Sequence, residues 1–178
     1  MPDFSFNLLE SSHWQDYALL DSGSGLKLER FGRYVFARPE SQAMWKPALP
    51  QADWDRAHAV FQPTSEESGG HWLAKKPMEE KWQMRYPLPR GSHPDALRFE
   101  VMTTPGRHLG VFPEAAAHWD YMVERILEAK RPLKVLNLFG YTGLASLAAA
   151  AAGAQVTHVD ASRKSVSWAR ENQALSGL

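Results

Sequence analysis

The spacing of apolar and polar residues divides the chain into a β-rich first part and a second part in which strands alternate with helices. Six runs that alternate, or are rich in β-branched and aromatic residues, predict strands: 17–21, 26–31, 34–37, 71–75, 81–86 and 96–103. Turns at 22–25 and 32–33 join the first three into a meander. A short helix is predicted at 52–61, and the polar segment 65–70 is predicted to be an exposed loop.

A helical period replaces the strand pattern after Phe112. Pro113 suits a first helical position, because its missing N–H would have no partner there. Five apolar residues then fall on one helical face: Trp119, Met122, Val123, Ile126 and Leu127. Pro132 ends the predicted helix.

Two strand–helix pairs follow this helix. Strands are predicted at 133–138 and 155–159, with helices at 142–152 and 162–176, where Gly153 ends the first helix and Ser162 caps the second. The predicted fold class is therefore α/β, with an N-terminal β-rich domain (1–105) and the first part of a Rossmann-like, doubly wound sheet (106–178). Two parallel strands cannot bury both faces of such a sheet, so we expect further strands beyond Leu178 or a second copy of the chain at the open edge.

The amino-acid composition excludes several kinds of site but does not identify a binding partner. The 178 residues carry 20 basic and 20 acidic side chains, so nucleic-acid binding would need a local patch. The absence of cysteine excludes disulfides, thiolate metal ligands and a cysteine nucleophile within this sequence. The N-terminus has no signal-peptide pattern, and the alanine-rich run 144–154 is too short to span a bilayer. We expect a cytoplasmic protein, possible homo-oligomers, no membrane partner and no metal.

The most informative segment joins a glycine turn to an acidic residue. The turn follows the strand at 133–138, and Asp160 ends the next strand, 20 residues after Gly140. Nucleoside ligands bind at the carboxyl ends of such strands, where glycines allow close approach and the acid accepts hydrogen bonds from ribose hydroxyls. An ordinary tight turn beside an acidic strand end is the alternative.

The turn reads Gly140-Tyr-Thr-Gly143 and lacks the middle glycine that dinucleotide sites use against a pyrophosphate. Tyr141 occupies that place. The pattern therefore favours a nucleoside without a diphosphate, such as S-adenosylmethionine, over a nicotinamide dinucleotide.

The run Asn-Leu-Phe-Gly-Tyr-Thr-Gly at 137–143 resembles the first motif of class I S-adenosylmethionine-dependent methyltransferases, in particular the bacterial 23S rRNA cytosine-C5 methyltransferases and their relatives. The segment Gly-Val-Phe-Pro-Glu at 110–114 is similar to the family's stretch ahead of the Rossmann core. Asp-Ala-Ser at 160–162 is similar to its second motif. The resemblance covers about residues 106–175 well and the β-rich part only loosely.

This resemblance implies S-adenosyl-L-methionine as cofactor and RNA, in particular rRNA, as partner. The turn would wrap the methionine and adenosine parts, Asp160 would hold the ribose, and Phe112 would line the methionine side. The implied cofactor-binding residues are Phe112, Asn137, Phe139, Gly140, Tyr141, Thr142, Gly143, Asp160 and Ala161.

Two departures limit what the resemblance implies. Ala115 stands where relatives often carry glutamine. The family's Asp-Pro-Pro motif and the cysteine nucleophile of its C5 enzymes would lie beyond Leu178, so the catalytic residues are unknown. We expect these 178 residues alone to be inactive.

A candidate nucleic-acid surface lies in residues 70–107, where seven basic and four acidic side chains are interleaved with Trp72, Trp82 and Tyr86. Lys75, Lys76 and Arg85 are the candidate contacts to RNA. A sheet with a packed aromatic face and a solvated charged face explains the same pattern. Two other functions stay open: a nicotinamide-dependent oxidoreductase, and a non-catalytic RNA-binding module with a degenerate nucleotide fold.

Overall fold

A computed structural model describes residues 8–64 and 69–178. Most of the predicted loop at 65–70 therefore lies outside the described residues. The chain divides into two compact units. The first unit consists of residues 8–13, Pro87–Leu97 and Phe112–Leu178, and the second of Trp14–Tyr86 and Arg98–Val111.

The second unit is built from strands and one short helix. In chain order the elements are β1 (Tyr17–Gly23), β2 (Leu26–Phe31), β3 (Tyr34–Pro39), α1 (Gln51–Trp54), β4 (Ala59–Pro63), β5 (Gly70–Ala74), β6 (Lys81–Pro87) and β7 (Ala96–Met102). The last two strands each extend by one or two residues into the first unit. Strands β1 to β5 form one sheet in sequence order, and β6 and β7 form a two-stranded sheet.

The predicted meander and the other predicted strands are confirmed, but the helix predicted at 52–61 is wrong over much of its length. Helix α1 has only four residues, and the chain becomes extended again at Ala59. Strand β4 pairs in parallel with β3, with Phe36 opposite Ala59, and antiparallel with β5. Hydrogen bonds to both neighbours outweigh the local helical pattern.

Aromatic rings fill the interior of the second unit. Phe31 and Phe36 are fully buried, and the Phe36 ring stacks on Trp82 with centroids 5.6 Å apart. A buried ion pair accompanies them: Arg38 donates to both carboxylate oxygens of Glu29, with Nη2 2.9 Å from Oε1. Burying these two charges is tolerated because each has hydrogen-bond partners.

The first unit holds the strand–helix pairs that the sequence predicts. A 3₁₀ helix (Pro113–Ala115) leads into α2 (Ala116–Glu128), followed by β8 (Lys134–Leu138), α3 (Leu144–Ala151), β9 (Gln155–Val159) and α4 (Arg163–Ser176). Strands β8 and β9 are parallel, with Asn137 opposite His158. The N-cap of α4 is Ser162, whose Oγ accepts the N–H of Ser165 at 3.2 Å.

Helices cover one face of the β8–β9 sheet. Ile126 of α2 and Ala149 of α3 are buried in a cluster that also contains the strand residues Val135 and Val156. The opposite face exposes Leu136 and the other outward-facing strand side chains within the described residues. The predicted α/β class is confirmed by this arrangement together with the β-rich unit.

None of the helices in residues 8–64 and 69–178 combines the length and the apolar character needed to cross a membrane.

Candidate cofactor site

Asp160 lies at the carboxyl end of β9 and is hydrogen-bonded to the glycine turn that follows β8. Its Oδ2 accepts the backbone N–H of Tyr141 at 2.8 Å, and its Oδ1 accepts the N–H of Ser162 at 2.8 Å. A carboxylate can accept about four hydrogen bonds in total. Each oxygen therefore keeps acceptor capacity for a further donor such as a ribose hydroxyl.

The Asp160 carboxyl is held in its charged form by these contacts. The hydrogen bonds from the N–H groups of Ser162 and Tyr141 lower its pKa below the ordinary value of 3.8, and the nearby His158 acts in the same direction. Partial desolvation opposes them and does not prevail. At neutral pH the strand end therefore presents an anionic acceptor.

The backbone of the turn is unusual at two residues that are not glycine. Phe139 has a φ of 59° and Tyr141 a φ of 51°, both in the left-handed region that side chains disfavour. The turn is fixed at this point because the N–H of Gly140 donates to the carbonyl of Val159 at 2.9 Å. Such strain is typical of ligand-binding segments that the surrounding structure holds in place.

Aromatic side chains surround the turn. The rings of Phe112 and Tyr141 have centroids 5.1 Å apart, and the ring centroid of Trp168 on α4 is 6.4 Å from that of Tyr141. Phe139 is 89% exposed, so its ring projects from the turn. The structure thus brings three sequence-predicted residues, Phe112, Phe139 and Tyr141, to one site with Asp160.

The other half of the turn is buried and faces the helices. Thr142 is 1% exposed, and its carbonyl accepts a hydrogen bond from the buried Asn172 of α4 at 3.0 Å. Gly143, with φ of 90°, is the N-cap of α3 and lies directly against Ala169 of α4. Asn172 is not among the residues singled out from the sequence, since one asparagine in a helix, 30 positions after Thr142, gives no local signal.

Asn137 and Ala161 are further predicted site residues, and their surroundings differ. The Nδ2 of Asn137 donates to Ser146 Oγ at 2.9 Å on the face that α3 covers. Ala161 is exposed and, together with Asp160, lines a cavity of about 280 Å³ whose other walls come from α4. A second cavity of about 390 Å³ lies between α3, β9 and α4.

The candidate RNA contacts are exposed, whereas two of the three aromatic residues interleaved with them are buried and the third, Trp72, is partly buried. Trp82 and Tyr86 are buried in the core of the second unit. Lys76 donates from Nζ to the Arg56 carbonyl, and Arg85 lies on β6 with its N–H bonded to Asp16. Base stacking on Trp82 and Tyr86 is therefore excluded in this structure, and the packed aromatic face is the better interpretation of the pattern.

In the described part of the chain, no group of three or more His, Asp or Glu side chains is arranged to hold a metal ion.

Similarity to known proteins agrees with this geometry. A solved structure of an S-adenosylmethionine-dependent methyltransferase from Agrobacterium tumefaciens is 49% identical, with a TM-score of 0.83 over 96% of this chain. The chain is similar to S-adenosylmethionine-dependent methyltransferases. A curated relative from Magnetococcus marinus, named ribosomal RNA large subunit methyltransferase K/L, is 42% identical over 83 residues, or 46% of this chain. The resemblance predicted from residues 137–143 is thereby confirmed.

The fold extends to a more distant structure. A candidate S-adenosylmethionine-dependent methyltransferase from Streptococcus mutans superimposes with a TM-score of 0.61 over 94% of this chain and 44% of its own, at 18% identity. No family model matches the chain. The matched region amounts to 51% of the Agrobacterium tumefaciens chain and 11% of the Magnetococcus marinus protein.

Proposed function

We propose that residues 106–178 bind S-adenosyl-L-methionine as part of an RNA methyltransferase, while residues 1–105 contact the substrate. The observation that carries this proposal is the hydrogen bond between Asp160 and the Tyr141 N–H, because it joins the acidic strand end to the turn in one site. Similarity over 96% of the chain to a structure of this enzyme class supports the cofactor.

The side chains of the site fit the parts of this cofactor. Asp160 retains acceptors for the two ribose hydroxyls. The rings of Phe112 and Phe139 offer apolar surface to the rest of the molecule. The amino end of α3 carries partial positive charge, which suits the carboxylate of the methionine part. When bound, the cofactor supplies a methyl group activated by a sulfonium, and the protein positions donor and acceptor.

The backbone of Tyr141 argues against a dinucleotide. Its N–H donates to Asp160 and is not available to a pyrophosphate, and no glycine stands between Gly140 and Gly143 in the turn. We therefore prefer S-adenosylmethionine to NAD as the ligand.

Calorimetry with S-adenosylmethionine, S-adenosylhomocysteine and NAD tests the cofactor. We expect the first two to bind and NAD not to bind. Asp160→Asn removes the charge that the ribose hydroxyls would contact and should weaken binding by about 10- to 100-fold. Glu171→Gln, an exposed acid on α4, is the matched control and should bind normally. Preference for NAD, or equal binding by Asp160→Asn, would contradict the proposal.

The RNA substrate rests on the rRNA methyltransferase named among the relatives and on the exposed cations Lys75, Lys76 and Arg85. Phosphate contacts make binding depend on salt. The triple substitution of these residues by alanine should weaken binding to an rRNA fragment and reduce the slope of log K against log salt by about 2 to 3.

A second triple variant controls for the loss of charge. Lys130, Arg131 and Lys134 are exposed cations of the first unit, and replacing them by alanine removes the same three charges. This variant should keep the salt slope of the unsubstituted protein. Equal losses in both triple variants would indicate non-specific attraction and would count against the proposed surface.

A further inference from the structure

Three polar side chains form a chain of hydrogen bonds beneath the glycine turn. Asn137 of β8 donates from Nδ2 to Ser146 Oγ of α3 at 2.9 Å, and the same Oγ lies 2.9 Å from Nδ1 of His158 on β9. Strands β8 and β9 and helix α3 therefore contribute one member each. The Ser146 contact fixes the plane of the His158 imidazole.

The imidazole of His158 packs directly against Gly140. A Cβ placed on Gly140 would lie 2.3 Å from Cε1 and 2.4 Å from Nδ1 of the ring, far inside contact distance. Gly140 is not among the residues with positive φ, so its backbone would accept alanine. Glycine is required at this position because the imidazole occupies the space of a side chain.

The other ring nitrogen gives a second argument that His158 does more than fill space. Within the described residues, Nε2 is buried without a hydrogen-bond partner. Leaving a buried polar atom unsatisfied costs about 1–3 kcal/mol, a cost that an apolar side chain would avoid. Histidine combines a flat ring that fits under Gly140 with an Nδ1 that can bond to Ser146.

We propose that His158 is a positioning residue for the cofactor site: by seating Gly140, it aims the Tyr141 N–H at Asp160. This inference rests on the proposed function, because it takes the glycine turn to be part of a cofactor site. The contact between His158 and Gly140 can nevertheless be tested without ligand. The turn contacts three successive residues at the end of β9 and just after it, through the His158 ring, the Val159 carbonyl and the Asp160 carboxylate. Loss of the first contact should loosen the third.

A double-mutant cycle between positions 140 and 158 tests the contact. Two quantities are measured: the affinity for S-adenosylhomocysteine, and the hydrogen-exchange rate of the Tyr141 amide in the absence of ligand. Gly140→Ala alone should weaken binding by about tenfold or more and speed exchange, because the methyl group collides with the imidazole. In the His158→Ala background the same substitution should cost little, since the space is then empty. Equal effects of Gly140→Ala in both backgrounds would overturn the proposal.

Conservative variants separate positioning from folding. His158→Asn keeps a polar atom near Nδ1 for Ser146 and should retain more affinity and amide protection than His158→Ala. Thr157→Ala, on the exposed face of the same strand, is the matched control and should behave like the unsubstituted protein. If both variants fold and His158→Asn loses as much affinity and amide protection as His158→Ala, the hydrogen-bonded chain plays no positioning role.

The two readouts distinguish this inference from the proposed function. If the unsubstituted protein binds neither S-adenosylmethionine nor S-adenosylhomocysteine, the proposed function fails. The exchange rate of the Tyr141 amide without ligand then still tests whether His158 positions the turn. If the unsubstituted protein binds tightly, and substitutions of His158 change neither the exchange rate of the Tyr141 amide nor the affinity, only the present inference fails.

Discussion

Gly143 offers the sharpest prediction about the stability of the site, because two separate physical effects require glycine there. Its φ of 90° lies in the left-handed region, which costs a residue with a Cβ about 1–2 kcal/mol. An added Cβ would also lie 2.8 Å from Cβ and 3.2 Å from Cα of Ala169 on α4. Relieving such overpacking costs a further 1–3 kcal/mol or so. Gly143→Ala should therefore reduce the free energy of unfolding by about 2–5 kcal/mol.

Gly153 provides the control that separates the two effects. Its φ of 91° matches that of Gly143, but nothing lies within 4 Å of an added Cβ. Gly153→Ala should thus cost only the backbone part, about 1–2 kcal/mol. Urea denaturation followed by circular dichroism gives both values, provided that the slope with denaturant is unchanged. Hydrogen exchange in α3 and α4 locates the loss. If Gly143→Ala costs no more than Gly153→Ala, the close approach of the turn to α4 is wrong.

Three further predictions concern other parts of the chain. Ser162→Ala removes the N-cap of α4 and should cost about 1 kcal/mol in urea denaturation, whereas Ser167→Ala, exposed on the same helix, should be neutral. Arg38→Met leaves the buried Glu29 carboxylate without its main partner and should lower the free energy of unfolding by about 3–5 kcal/mol. The double variant Glu29→Leu/Arg38→Met should recover most of that loss, and a double variant as unstable as the single one would refute this. Burial raises the pKa of the Asp21 carboxyl, but hydrogen bonds from the N–H groups of Leu49 and Ala48, from the indole of Trp54 and from the N–H of Ser22 lower it overall. The charged carboxylate therefore stabilises the folded protein fully above pH 3.8, and this stabilisation is lost as the pH falls below that value. Asp21→Asn should reduce the fall of the urea midpoint between pH 6 and pH 3.

The strand–helix half of the chain was predictable because its signals are local. A period of 3.6 residues marks α2, and Ser162 marks the start of α4 within one residue. The glycine turn and Asp160 could be paired from spacing, since consecutive strand–helix units place their strand ends side by side. These features depend on residues no more than 20 positions apart in the sequence.

Other features depend on contacts that no local pattern reports. Residues 59–61 alternate weakly and were compatible with a helix, and their extended conformation comes from pairing with β3, more than 20 positions earlier. The carbonyl of the buried Thr142 is satisfied by Asn172, which lies on a helix three elements later. His158 alone gave no sign of its contact with Gly140, because strand periodicity places a side chain on a face but does not reveal what meets it there.

The glycine turn of the cofactor site is held in place by contacts from the end of β9 and from α4. The last two residues of β9 and the Asp160 that follows them hold the turn through a ring, a carbonyl and a carboxylate, and α4 contacts it through Asn172 and Ala169. Two residues of the turn, Phe139 and Tyr141, stay in a costly backbone conformation because these contacts over-determine it. Substitutions along the inward face of β9 should therefore change cofactor affinity, whereas substitutions at Lys75, Lys76 or Arg85 should change RNA affinity alone. Cofactor binding and RNA selection would then be separable by mutation, and a variant at one surface that altered both would show that they are coupled.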